Sequence, residues 1–96
     1  MRGFVYILES LKDHRQYIGS TPNIQRRLEE HNRGFVKSTR NRRPLVLKYI
    51  LEYSSIEMAA KMEKKFKRSH DSLRRELEIR GVAPRQTWQG RLTPRS

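Results

Sequence analysis

The sequence predicts an α+β domain, a three-stranded antiparallel sheet flanked by helices in ββαβαα order. Three observations point there. Two short β-branched and aromatic runs near the start are separated by a polar stretch of hairpin length. A denser apolar run occupies 45–53. Segments with helical periodicity and recognisable end signals stand on both sides of that run. With 96 residues, the chain has material for one compact domain.

The first run, "FVYIL" (4–8), reads as a strand with Phe4, Tyr6 and Leu8 on one face. "QYIGS" (16–20) reads as its hairpin partner, with Tyr17 and Gly19 sharing a face. A helix follows, with Thr21 as N-cap, Pro22 at the first helical position and Gly34 as the stop. Its apolar side should be Ile24 and Leu28, yet the residue one turn on is His31, and Arg27 lies beside the same stripe. "GFVKSTRNRRP" (34–44) is a loop carrying Lys37, Arg40, Arg42 and Arg43 and no acid.

"LVLKYILEY" (45–53) reads as a strand whose length and apolar density suggest the middle of a sheet. "SSIEMAAKMEKKFKRSH" (54–70) is a helix opened by a capping box of Ser54 and Glu57. At about 100° per residue, Ile56, Ala59, Ala60 and Phe66 form its apolar stripe, with Glu63 in the middle. "SLRRELEIRG" (72–81) is a short third helix ending at Gly81. The domain is therefore expected over 1–81. The remainder, 82–96, holds Pro84, Pro94 and three arginines without an acid, and reads as a basic, disordered tail.

Composition narrows the function. There is no cysteine, which excludes a disulfide framework and thiolate metal sites. No apolar run approaches a membrane span, and the start is too quickly polar for a signal peptide, so a cytoplasmic protein is expected. Twenty-two Lys and Arg against ten Asp and Glu give a net charge of +12. Clustered cations gain free energy by releasing counterions from phosphates, so a nucleic-acid partner is expected. Charge alone fits RNA as well as DNA.

The two inward polar features suggest chemistry. A carboxylate on an apolar stripe is costly unless paired or bound to a cation. An ion pair of Glu63 with Arg27 would be the plain structural explanation. Tyr6 and Tyr17 have a plain reading as half-buried strand residues, Arg27 as a surface arginine, and His31 as a helix C-terminal histidine favoured by the dipole. Together they supply hydroxyls able to act as bases, a guanidinium for a phosphate and a carboxylate for a hard divalent cation. That set fits metal-assisted phosphodiester hydrolysis.

The order and spacing of these motifs resemble the GIY-YIG nuclease superfamily, and its small stand-alone bacterial members above all. The family's "GIY" stands here as Phe4-Val5-Tyr6, and "YIG" is intact at Tyr17-Ile18-Gly19. "RRLEEHNRG", "RRPLVLKYILEY" and "AAKMEKKFK" resemble the blocks that follow, so the match runs from about Phe4 to Arg68. Ser20 replaces the lysine that several members carry after "YIG", and 71–80 lack the asparagine that many keep. The resemblance implies one divalent cation, Mg²⁺ or Mn²⁺, held by Glu63. It implies water activation by Tyr6 or Tyr17, phosphate stabilisation by Arg27, and a phosphate or proton-transfer role for His31 in a cleft between helix and sheet. The expected activity is a DNA endonuclease of low sequence specificity, possessing phosphate contacts at Lys37, Arg40, Arg42, Arg43 and Lys67. A binding module without catalysis and an RNA-directed accessory protein are the rivals.

Overall fold

Gly3–Ser10 (β1) and Gln16–Thr21 (β2) pair antiparallel as the expected hairpin, with Tyr6 opposite Gly19 and Leu8 opposite Tyr17. The computed structural model describes residues 1–82, so the expected tail lies outside the described residues from 83 onward. The chain continues through Ile24–Asn32 (α1), a 3₁₀ turn at Arg40–Arg42, Leu45–Tyr53 (β3), Ile56–Arg68 (α2) and His70–Arg80 (α3). The architecture is the predicted α+β sheet with three helices.

Strand order is β2-β1-β3, so β1 is central and β3 is an edge. This corrects the placement of 45–53 in the middle of the sheet. The register of β3 against β1 shifts between Ile7 and Leu8, which leaves Lys48 as an extra residue. Leu47 and Ile50, three apart, therefore face the same side, and an apolar run no longer means two covered faces. Lys48 and Glu52 break the run with charge, as edge strands commonly do. β1 instead buries Val5, Tyr6, Ile7 and Leu8 in succession.

Two hydrophobic layers result. α2 and α3 cover Val5, Ile7, Ile18 and Leu51 with Ala59, Phe66 and Leu73. On the opposite face Ile24 and Leu28 of α1 pack against Tyr6, Leu8, Leu45 and Leu47. Each helix starts within two residues of its expected position, and the first two carry caps other than those expected. Asn23, not Thr21, caps α1 by accepting from the Arg26 N–H at 3.0 Å, because Thr21 is still paired in β2. Ser55, not Ser54, caps α2 by accepting from the Met58 N–H. Ser69 ends α2 and caps α3, which makes the two helices nearly continuous in sequence. Gly34 and Gly81 adopt positive φ, at 83° and 67°, where their helices end.

Candidate active site at the edge strand

Strand alternation puts Tyr6 and Tyr17 on the α1 face, with their ring centroids 6.3 Å apart. Gly19 makes this possible. A Cβ there would fall on the Tyr6 hydroxyl and lie 2.6 Å from Cζ, so the ring of Tyr6 lies directly across the glycine. Tyr6 is buried and Tyr17 half-buried, which leaves Tyr17 as the outer member of the pair.

His31 does not face an open cleft, contrary to expectation. It is wholly enclosed, with Nε2 2.9 Å from the Tyr6 hydroxyl and Nδ1 2.8 Å from Thr39 Oγ1. Its ring also meets both tyrosine rings edge-on, at 5.7 and 5.0 Å. The stripe of α1 is thus completed by a histidine whose two ring nitrogens are both satisfied, which lets a polar residue occupy an apolar position. Burial, reinforced by the neighbouring Arg27 charge, lowers its pKa to about 4, so the imidazole is neutral at pH 7. Burial also pushes the Tyr6 hydroxyl up to about 12, against the pull of the Arg27 guanidinium beside it.

Arg27 sits half-buried at the rim of the same cluster and donates to Glu30 Oε1 at 2.8 Å. Asn32 fixes the end of α1 by bonding both backbone groups of Leu45, which holds this helix face against the sheet.

Glu63 does not pair with Arg27. Ser20 Oγ donates to its Oε1 at 2.6 Å, and the Lys67 ammonium lies 2.8 Å from its Oε2. Ser20 and Tyr17 are an odd number of residues apart and so occupy opposite faces of β2. Because β2 is an edge strand, Lys67 reaches both faces, and its Nζ lies 5.6 Å from the Tyr17 ring centroid. The carboxylate and the tyrosines therefore meet around one strand edge instead of across a helix–sheet cleft.

The loop cations divide. Arg42 is half-buried and 3.7 Å from Asp13, while Arg43 folds back to donate to the Arg40 carbonyl over Gly34. Lys37 and Arg40 remain exposed, with Phe35 protruding beside them. Sequence reasoning missed Thr39, because nothing in a Ser-Thr-Arg stretch distinguishes a buried threonine from a loop one.

A single carboxylate with an exposed edge suits Mg²⁺ or Mn²⁺, which commonly take one protein carboxylate and complete their shell with water and phosphate. The Lys67 ammonium already shows that Glu63 accepts a cation in this position. No cluster of three or more His, Cys, Asp or Glu side chains placed to hold a metal occurs among the described residues. No helix among them is long and apolar enough to cross a membrane.

A small sheet carrying two tilted tyrosines, with an arginine on one flanking helix and a glutamate on the other, is the arrangement that the resemblance implies. The sequence comparison agrees: residues 2–76 match the GIY-YIG catalytic domain, and the chain belongs to that family. A UPF0213 protein of Syntrophus aciditrophicus is 39% identical over 69 residues, covering 70% of this chain and 78% of that one. A UPF0213 protein of Staphylococcus haemolyticus is 34% identical over 84 residues, covering 86% and 85% of the two chains. The solution NMR structure of a UPF0213 protein of Bacillus halodurans superposes with a TM-score of 0.50 at 34% identity, covering 84% of this chain and 87% of its own.

Proposed function

We propose that this chain is a metal-dependent endonuclease that hydrolyses DNA phosphodiester bonds with low sequence specificity. The observation that carries the reading is the convergence of Tyr6, Tyr17, Arg27 and Glu63 around the β2 edge. Glu63 would hold the divalent cation. When bound, that cation polarises the scissile phosphate as a Lewis acid. Arg27 binds the phosphoryl oxygens and offsets the negative charge that builds on them. One tyrosine, as the phenolate left after its own proton has passed to solvent, takes the proton of the attacking water; Tyr17 is the more accessible, and burial holds the Tyr6 proton on its oxygen. Lys37 and Arg40 hold the flanking backbone, joined by Arg42, Arg43 and Lys67 once their internal partners yield to phosphate.

Nicking of supercoiled plasmid and of branched DNA, with Mg²⁺ against chelator, tests this. Glu63→Gln and Arg27→Ala should each lower metal-dependent cleavage by about a hundredfold or more, with DNA retention intact for Glu63→Gln. One observation favours a binding module instead: the Lys67 ammonium already occupies the place at Glu63 that a divalent cation would take. DNA retention with no metal-dependent nicking in the wild-type chain would establish that second reading.

A further inference from the structure

Thr39 stands at the N-cap of the 3₁₀ turn Arg40–Arg42, where a threonine hydroxyl ordinarily accepts from a free backbone N–H. It makes no such bond. Its side chain turns inward, is completely buried, and among the described residues its hydroxyl bonds only His31 Nδ1, at 2.8 Å. The loop that carries it is held on both sides. Wholly buried Ser10 donates from Oγ to the Arg42 carbonyl at 2.7 Å, and the Leu11 N–H bonds the Pro44 carbonyl at 2.9 Å.

A neutral imidazole bonded at both nitrogens has two possible proton arrangements. In one, Nδ1–H donates to Thr39 and Tyr6 donates to Nε2. The Thr39 O–H then has no acceptor, in a place that water does not reach. In the other, the Thr39 O–H donates to Nδ1, Nε2–H donates to the Tyr6 oxygen, and the only O–H left over is that of Tyr6, beside Arg27. Each arrangement leaves one O–H without an acceptor among the described residues, and the cost is greater at Thr39, which is wholly enclosed, than at Tyr6, which keeps a trace of exposure and borders the half-exposed Tyr17 and Arg27. We infer that Thr39 is a positioning residue: its hydroxyl holds His31 in the Nε2–H tautomer, and His31 in turn donates to Tyr6.

The consequence for Tyr6 follows. Its oxygen receives a hydrogen bond from behind, which favours negative charge on that oxygen. Its own proton can leave only toward a group outside the pair, never onto His31. Thr39 belongs to the same loop as the exposed Lys37 and Arg40, so the segment offered to a nucleic-acid backbone also sets the hydrogen bonding of Tyr6. The catalytic part of this inference rests on the nuclease reading. The tautomer part does not.

The two parts are tested separately. Long-range ¹H–¹⁵N correlation on the metal-free, ¹⁵N-labelled chain at neutral pH should show His31 with Nε2 protonated and Nδ1 bare. Thr39→Ser should keep that pattern. Thr39→Val, a near isostere without the donor, should convert His31 to the Nδ1–H form or to a mixture. An Nδ1–H signature in the wild type, or a Thr39→Val chain with an unchanged pattern, overturns the inference whether or not the protein cuts DNA. In cleavage assays Thr39→Val should lower kcat by about tenfold with KM for DNA unchanged, and Thr39→Ser should restore it. Equal kcat in Thr39→Val and wild type overturns the catalytic part. A wild-type chain that cuts no DNA refutes the nuclease reading and leaves the tautomer result standing.

Discussion

Acidification from pH 7 to pH 5 should destabilise the fold through His31. His31 has a pKa of about 4 in the folded chain against an ordinary 6.5. Between those values the unfolded chain binds the proton and the folded chain does not, so stability falls as pH falls. The lost stability amounts to about 2 kcal/mol by pH 5 and about 3 kcal/mol by pH 4, at roughly 1.4 kcal/mol per pKa unit. For a domain of this size about 2 kcal/mol corresponds to a midpoint lowered by roughly 10 °C. The groups facing His31 are Tyr6 and Tyr17 on the sheet, Thr39 on the loop, and Arg27 and Glu30 on its own helix. Arg27 opposes protonation and Glu30 favours it, with burial the larger cause. Glu9, Asp13 and Glu30 are held below their ordinary carboxylate range, so their contribution is lost only below about pH 4.5. Urea unfolding at fixed ionic strength at pH 7, 6 and 5 would be compared between wild type and His31→Gln. The variant should be less stable at pH 7 and should lack the steep fall, because His14 and His70 are common to both chains. Parallel stability–pH curves for the two proteins, or a His31 NMR titration centred near 6.5, would refute the reasoning.

Replacing Lys37 and Arg40 by Ala should weaken DNA binding uniformly across sequences and flatten its salt dependence by about two units of slope, read by anisotropy titration at several salt concentrations. Arg43→Ala should change that slope less, because its guanidinium is already bonded to the Arg40 carbonyl. Gly19→Ala should displace the Tyr6 ring and break its bond to His31, at a cost of about 1–3 kcal/mol in thermal melts. A chain ending at Val82 should melt cooperatively close to the full-length midpoint, whereas one ending at Gly81 should melt lower, because Val82 packs on the core and its N–H bonds the Leu77 carbonyl.

Local pattern carries most of the fold. The hairpin, the three helices and β3 are legible because each has a period and end signals of its own. What local pattern does not carry is which strand lies centrally. The density of 45–53 misleads because the bulge at Lys48 changes which residues share a face, and a bulge has no signature in that run. The caps shift by a residue or two because Thr21 and Ser54 compete with equally suitable neighbours, and strand pairing decides the first of these contests. In the candidate site, Tyr6, Tyr17, Arg27 and His31 stand out because three polar types interrupt apolar faces, and the structure brings them together. The orientation of His31 and its contact with Thr39 are not legible locally, because they are set by how the loop folds over the end of α1.

Glu63 shows how position in a sheet changes an energetic argument. On a helical wheel it occupies the centre of an apolar stripe, where an unpaired carboxylate would cost several kcal/mol. Lying against an edge strand, it keeps partial contact with solvent, accepts from Ser20 and pairs with Lys67 at i+4. The Lys67 side chain is about half exposed, so this pair is worth no more than about 1 kcal/mol. Glu63→Gln keeps an acceptor for Ser20 and loses only the ion pair, so metal-free stability should change by less than about 1 kcal/mol in either direction. A carboxylate that contributes so little to folding can give up its lysine to a divalent cation at small cost. Lys67→Met should then strengthen the Mg²⁺-induced rise in melting temperature, because no internal cation competes. A Lys67→Met chain whose melting temperature responds to Mg²⁺ no more than the wild type would mean that Glu63 serves Lys67 alone.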